Sequence, residues 1–168
     1  QIPAESLRED RSNAQPTLTT SMIHRNSVRR TLALRGLNEC VTWSFMPKHY
    51  AELFGGGSKN LTIVNPISSD LDVMRPSILP NLIEATGRNM ARGFSNIGLF
   101  EVGPQYFSDE LDGQALVAAC IRSGFNGPRH WQNRFQEVDV YDVKADILTS
   151  LDEIGVLENK LIIKKLQV

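Results

Sequence analysis

Two apolar runs, residues 97–102 and 114–122, lie on either side of a short polar segment, and this pairing limits the possible folds more than any other feature of the chain. A parallel pair needs a crossover of a dozen or more residues, usually helical, and the intervening segment is too short for one. The two runs are therefore expected to pair antiparallel. The second, QALVAACIR, is nearly unbroken in apolar character and reads as a central strand covered on both faces. With amphipathic helical patterns before and after, the chain reads as α+β, an antiparallel sheet flanked by helices.

Residues 1–16 are polar, hold Pro3 and Pro16 and show no hydrophobic period, so they read as a linker ahead of a core domain over residues 17–168. A helix capped by Thr17 or Thr19 is expected to run to Gly36. At 100° per residue Val28 and Leu32 point to one side, while Ile23 and Leu34 point almost oppositely. Arg25, Arg29, Arg30 and Arg35 lie between them. Two apolar sides need two coverings, one from the domain itself and one from a partner. Val41, Trp43 and Phe45 alternate as in a half-buried strand over residues 40–46. A short helix over 47–54 ends at Gly55-Gly56-Gly57, and residues 61–64 read as another strand. Pro80 opens the cleanest helix, with Leu79, Leu82, Ile83, Thr86 and Met90 in one arc and Gly93 as its stop. The last helix is expected over 142–154, with Val143, Ile147, Leu148, Leu151 and Ile154 on one side; residues 161–163 begin a further strand.

The 168 residues, 41% hydrophobic with net charge −1, suit one ordinary domain and supply no global field to recruit nucleic acid or an anionic membrane. No segment approaches the roughly eighteen apolar residues of a membrane span. Cys40 and Cys120 share no metal or redox spacing and read as buried free thiols, which suits the cytoplasm. The chain begins without methionine and stops inside an apolar run, so both ends read as cut. His24, His49 and His130 lack metal-ligand spacing, and no nucleophile elbow stands out. Gly55-Gly56-Gly57-Ser58-Lys59 has the wrong context for a phosphate loop, because a helix precedes it and a strand is expected to follow. Arg75 is the best candidate for a functional arginine: it can grip a carboxylate or phosphate bidentately, or clamp Asp70, Asp72 or Glu101. Glu101 sits among apolar neighbours and needs a partner, so an Arg75–Glu101 contact satisfies both.

The stretch VNPISSDLDVMRPSILPNLIEATGRN followed by LFEVG closely resembles the β-subunit family of bacterial phenylalanyl-tRNA synthetases, in the synthetase-like core. RGLNECVTWSF, the Gly127-to-Trp131 loop, YDVKAD and the opening Ile2-Pro3 agree, so the resemblance covers essentially the whole chain. It implies a class II synthetase fold in which residues 17–45 fall at the first class motif, a long interface helix leading into a strand. Arg75, Phe100 and Glu101 then occupy the surroundings of the second motif, which in active relatives binds ATP and the amino acid. It further implies that the module is degenerate, with catalysis in an α subunit of an (αβ)₂ enzyme that attaches phenylalanine to tRNA using ATP and magnesium. The third class motif and the family's acidic magnesium-holding pair have no counterpart here, and tRNA contacts belong mainly to other domains. The chain alone is thus expected to be inactive and to hold no catalytic residue, cofactor or metal. Ile23, Arg25, Val28, Arg29, Arg30, Leu32 and Leu34 are its expected contact surface for the α subunit. The competing reading is a stand-alone adenylating ligase using Arg75 on ATP phosphate and Glu101 on an amine. It would also need metal-holding carboxylates and a second arginine.

Overall fold

The first helix, α1 (Thr20–Leu34), starts where a hydroxyl caps it and ends where a glycine reverses the chain. Thr19 accepts the Met22 amide on its side chain, replacing a missing intrahelical partner. At the other end Gly36 takes φ +83°; its amide donates to the Ala33 carbonyl and the Leu37 amide to that of Leu32. This Schellman closure carries Leu37 and Leu32 into the same core cluster. The chain leaves it as β1 (Asn38–Glu39), parallel to β4 (Ile97–Tyr106), with Asn38 opposite Leu99 and Glu39 opposite Phe100. The computed structural model describes residues 3–4, 17–127, 131–132 and 136–164. Most of the expected linker over 1–16, and residues 128–130 before Trp131, lie outside the described residues.

β4 pairs antiparallel with β5 (Gln114–Ser123) along its whole length, from Ile97 opposite Ser123 to Tyr106 opposite Gln114. The turn between them closes when the Phe107 and Ser108 amides both donate to the Gly113 carbonyl. Alternation along β4 sends Phe100 and Val102 to one face, where they meet Val28 and Leu32 of α1 and Leu37. Ile97 and Leu99 go to the other face, against Ile78, Leu82 and Ala85 at and within α3 (Leu79–Ala91). A second sheet of two short antiparallel strands, β2 (Phe45–Met46) and β3 (Val73–Met74), packs with Ala51 of α2 (Lys48–Leu53) and with Leu61. The last helix, α4 (Val140–Glu153), opens on a capping box: Asp139 accepts the Asp142 amide and Asp142 accepts that of Asp139.

The α+β architecture with helices flanking the sheet agrees with the sequence; the sheet gains one short parallel strand, β1. Several local expectations are corrected. Residues 40–46 do not form one strand: β1 and β2 flank an irregular segment in which Val41 and Trp43 are 91% and 63% exposed. The alternation is real but its phase is reversed, because the buried carboxylate of Glu101 takes its donors from Thr42 and so turns the polar residues inward. Over 61–64 a 3-10 turn (Lys59–Leu61) and a single antiparallel bridge, Thr62 to Val73, replace the expected strand. β5 is an edge strand rather than a central one: among the described residues only β4 pairs with it. Leu116 on it is half exposed. Residues 161–163 pair with no strand among the described residues, and Ile162 and Ile163 are exposed. In α3 the buried face runs through Leu82, Ala85 and Thr86, with Ile78 before it; Leu79, Ile83 and Met90 sit at its exposed margin. In α4 the residue buried completely is Asp146, not an aliphatic.

Candidate functional site

Arg75 is held at both ends of its backbone. Its amide donates to the Ser44 carbonyl and its carbonyl accepts the Tyr106 amide, fixing it where the small sheet meets the end of β4. Its side chain is 1% exposed, and its Nε and Nη1 are both engaged with the protein. Nε donates to the Pro104 carbonyl at 2.9 Å. Nη1 donates to Thr42 Oγ1 at 3.0 Å and to the Trp43 carbonyl at 3.4 Å, and lies 2.8 Å from Glu101 Oε1. The other Glu101 oxygen accepts the Thr42 amide at 3.2 Å and its hydroxyl at 2.6 Å. The Arg75–Glu101 contact favoured by the two residues' surroundings is thus present, closed into a ring through Thr42. Phe100, the third position singled out, lies on the opposite face of β4 in the core cluster with α1.

This arrangement does not fit ATP. A phosphate needs a guanidinium edge that it can reach, and an amine needs a carboxylate oxygen free to accept; here the pair is buried, and Nε, Nη1 and both carboxylate oxygens are engaged by protein groups. Gly103 makes the enclosure tighter still, since a Cβ there would stand 2.5 Å from Arg75 Nη2 and 3.1 Å from Glu101 Oε1. Gly103→Ala is therefore expected to displace the ion pair and destabilise the chain by about 1–3 kcal/mol, read as a lower urea midpoint. Wild-type stability in that variant would show that the guanidinium is not confined as described.

A second buried charge group went unnoticed in the sequence. Asp146 of α4 is completely buried between two arginines, Arg35 after α1 and Arg122 of β5. Arg122 donates from Nε to Asp146 Oδ2 at 2.6 Å and from Nη2 to Oδ1 at 2.9 Å; Arg35 Nε donates to Oδ1. Arg122 Nη2 also donates to the Arg35 carbonyl at 3.0 Å, so the group ties α1, β5 and α4 together. Burial pushes the Asp146 carboxyl up, but the hydrogen bonds and charges of Arg122 and Arg35 outweigh it and hold the carboxyl below its ordinary range. Arg35 and Asp146 each stand in a segment quoted above, and an acid on the apolar side of a helix was the available signal.

The residues expected at a subunit interface divide between two sides of α1. Val28 and Leu32 are buried in the domain, whereas Ile23, Arg25, Arg30 and Leu34 are exposed. Arg29 lies along the flank, donating to both Glu39 oxygens at 2.5 and 2.8 Å. Cys40 and Cys120 are free and half-buried, and burial pushes both thiols above their usual range. Gly55-Gly56-Gly57 follow α2 and lead into the 3-10 turn, with Gly56 packed on Pro76. Among the described residues no cluster of three or more His, Cys, Asp or Glu is placed to hold a metal ion. No helix among them is long and apolar enough to cross a membrane.

The fold is similar to that of a pyrrolysyl-tRNA synthetase from Desulfitobacterium hafniense. The two superpose with a TM-score of 0.50 at 17% identity, over 82% of this chain and 46% of that one. The fold is that of the class II aminoacyl-tRNA synthetase core. Residues 6–167 match the family described as the phenylalanyl tRNA synthetase beta chain CLM domain. The chain belongs to that family. It is 51% identical to the phenylalanine–tRNA ligase beta subunit of Rhodospirillum rubrum over 92% of this chain and 19% of that protein. The figures for the same subunit of Bartonella henselae are 45%, 95% and 20%. The chain therefore spans about a fifth of the length of these relatives.

Proposed function

We propose that this domain is a noncatalytic module of a phenylalanyl-tRNA synthetase β subunit that holds the catalytic α subunit in an (αβ)₂ enzyme. The observation that carries the reading is the ring of Arg75, Glu101 and Thr42, which is buried and turned onto protein groups rather than offered to ATP or an amino acid. ATP, magnesium and phenylalanine are handled by the α subunit, and tRNA is met mainly by other domains of the β subunit, in the cytoplasm. Residues 1–16 link the domain to the one before it, and residues 17–168 are the module. The outer side of α1, with Ile23, Arg25, Arg30 and Leu34 exposed, is the surface offered to the partner. Apolar residues set among arginines match the composition of interface cores.

The test is ATP–pyrophosphate exchange with phenylalanine, using full-length β subunit, α subunit and their mixture. Exchange is expected only when α is present, together with a stable complex by sedimentation. Exchange by β alone would instead establish the adenylating ligase. Absence of any α–β complex would remove the scaffold.

A further inference from the structure

Beside the Arg75 ring, between the segment before α2 and the outer side of α3, lies an open pocket of about 530 Å³. Its titratable lining is His49, which lies against Tyr50, with Asp70, Glu84 and Arg88. Trp43 and Tyr50 line it and are both exposed, and aromatic faces carry negative charge density. Asp70 lines it with a carboxylate that no described residue engages, since its only bond is from its own amide to Ser68 Oγ. The arginine on the wall, Arg88, is tied to Glu84 at 2.6 Å, so it does not offset Asp70.

Asn81 adds to this. Its Nδ2 donates to the Trp43 carbonyl at 3.3 Å. That bond sets the orientation of the amide, because the reverse would put two oxygens together. Oδ1 is then left buried without a donor among the described residues. An uncompensated acceptor in the wall is costly and reinforces the negative potential of the pocket. Aromatic faces and a free carboxylate are together the chemistry of a cation site, and the buried Asn81 oxygen adds to its potential without reaching its surface. A free small cation would leave the neighbouring Val41, 91% exposed, in water; a protein surface delivering the cation would cover it.

We propose that this pocket receives a lysine or arginine side chain presented by an α subunit of the (αβ)₂ enzyme, at a contact separate from the outer side of α1 and on the other face of the sheet, an inference that rests on the scaffold reading above. Full-length β subunit carrying Asp70→Asn, Trp43→Ala or Trp43→Phe tests it by titration with α subunit from low to high salt. Asp70→Asn and Trp43→Ala should each weaken association about tenfold at low salt. Asp70→Asn should also flatten the salt dependence, and Trp43→Phe should stay within a few-fold of wild type. Both side chains are exposed, so thermal melting should not move. Wild-type affinity and salt slope in Asp70→Asn and Trp43→Ala, with the complex intact, would overturn the pocket and leave the scaffold standing. No complex with wild-type β would overturn both. A photocrosslinking residue in place of Trp43 should capture an α-subunit peptide containing lysine or arginine; capture of tRNA, or of a peptide with neither, would overturn the assignment.

Discussion

Arg75→Met, with Glu101 left in place, is expected to cost about 3–5 kcal/mol of folding stability, the range for stranding one member of a buried ion pair. Glu101 is 3% exposed, and without the guanidinium its Oε1 loses its counter-charge in a region water does not reach. Glu101→Gln should cost less than Arg75→Met, since the amide oxygen can still accept from Thr42. In the double variant the loss should fall short of the sum of the single losses by about 2 kcal/mol or more, because the remaining charge problem has been removed from both sides. Recovery will be incomplete, since Arg75 also serves the Pro104 and Trp43 carbonyls. Urea denaturation followed by circular dichroism on all four proteins measures the cycle. Additive losses, or a single-variant loss under about 1 kcal/mol, would mean that the pair is not a structural clamp. The same variants bear on function: a clamp predicts that activity of the assembled enzyme falls only as far as assembly does.

Features set by local chemistry were legible in the sequence. Thr19 and Gly36 bound α1 because a hydroxyl and a left-handed glycine do the same capping work in any context. The antiparallel pairing of β4 and β5 followed from loop length alone. The Arg75–Glu101 contact could be foreseen because each residue posed a problem that the other solved. What misled was always decided at a distance. Residues 40–46 alternate, but which side faces inward depends on Glu101, far along the chain, drawing in Thr42. An unbroken apolar run such as β5 says that both faces are apolar, not whether a second strand is present on its far edge. The sequence puts the start of α4 at 142, three residues past its Asp139 cap, because the Asp139–Asp142 box lacks the usual Glu or Gln. Trp43, expected on the inner side of a half-buried strand, stands instead on a pocket rim.

Asp146 gives the stability of the domain a defined dependence on pH. Its native carboxyl is held below the ordinary range, whereas in the unfolded chain it titrates at about 3.9. The unfolded state therefore binds more protons between these two values, so stability rises with pH there. The contribution is fully present above the unfolded value and is lost as pH falls through the native one. Asp146→Asn should cost about 3 kcal/mol at neutral pH, because Arg122, whose side chain is 10% exposed, keeps its charge while its acceptor loses one. Arg35 contributes less to that penalty, being 29% exposed and partly solvated. The gap between variant and wild type should then narrow as pH drops below about 4, since protonation of Asp146 removes the same charge in the wild-type protein. Urea midpoints measured against pH give the result directly. Parallel curves for the two proteins down to strong acid would show that Asp146 does not titrate as a buried, doubly bonded carboxylate, and that α1, β5 and α4 are tied together by packing alone.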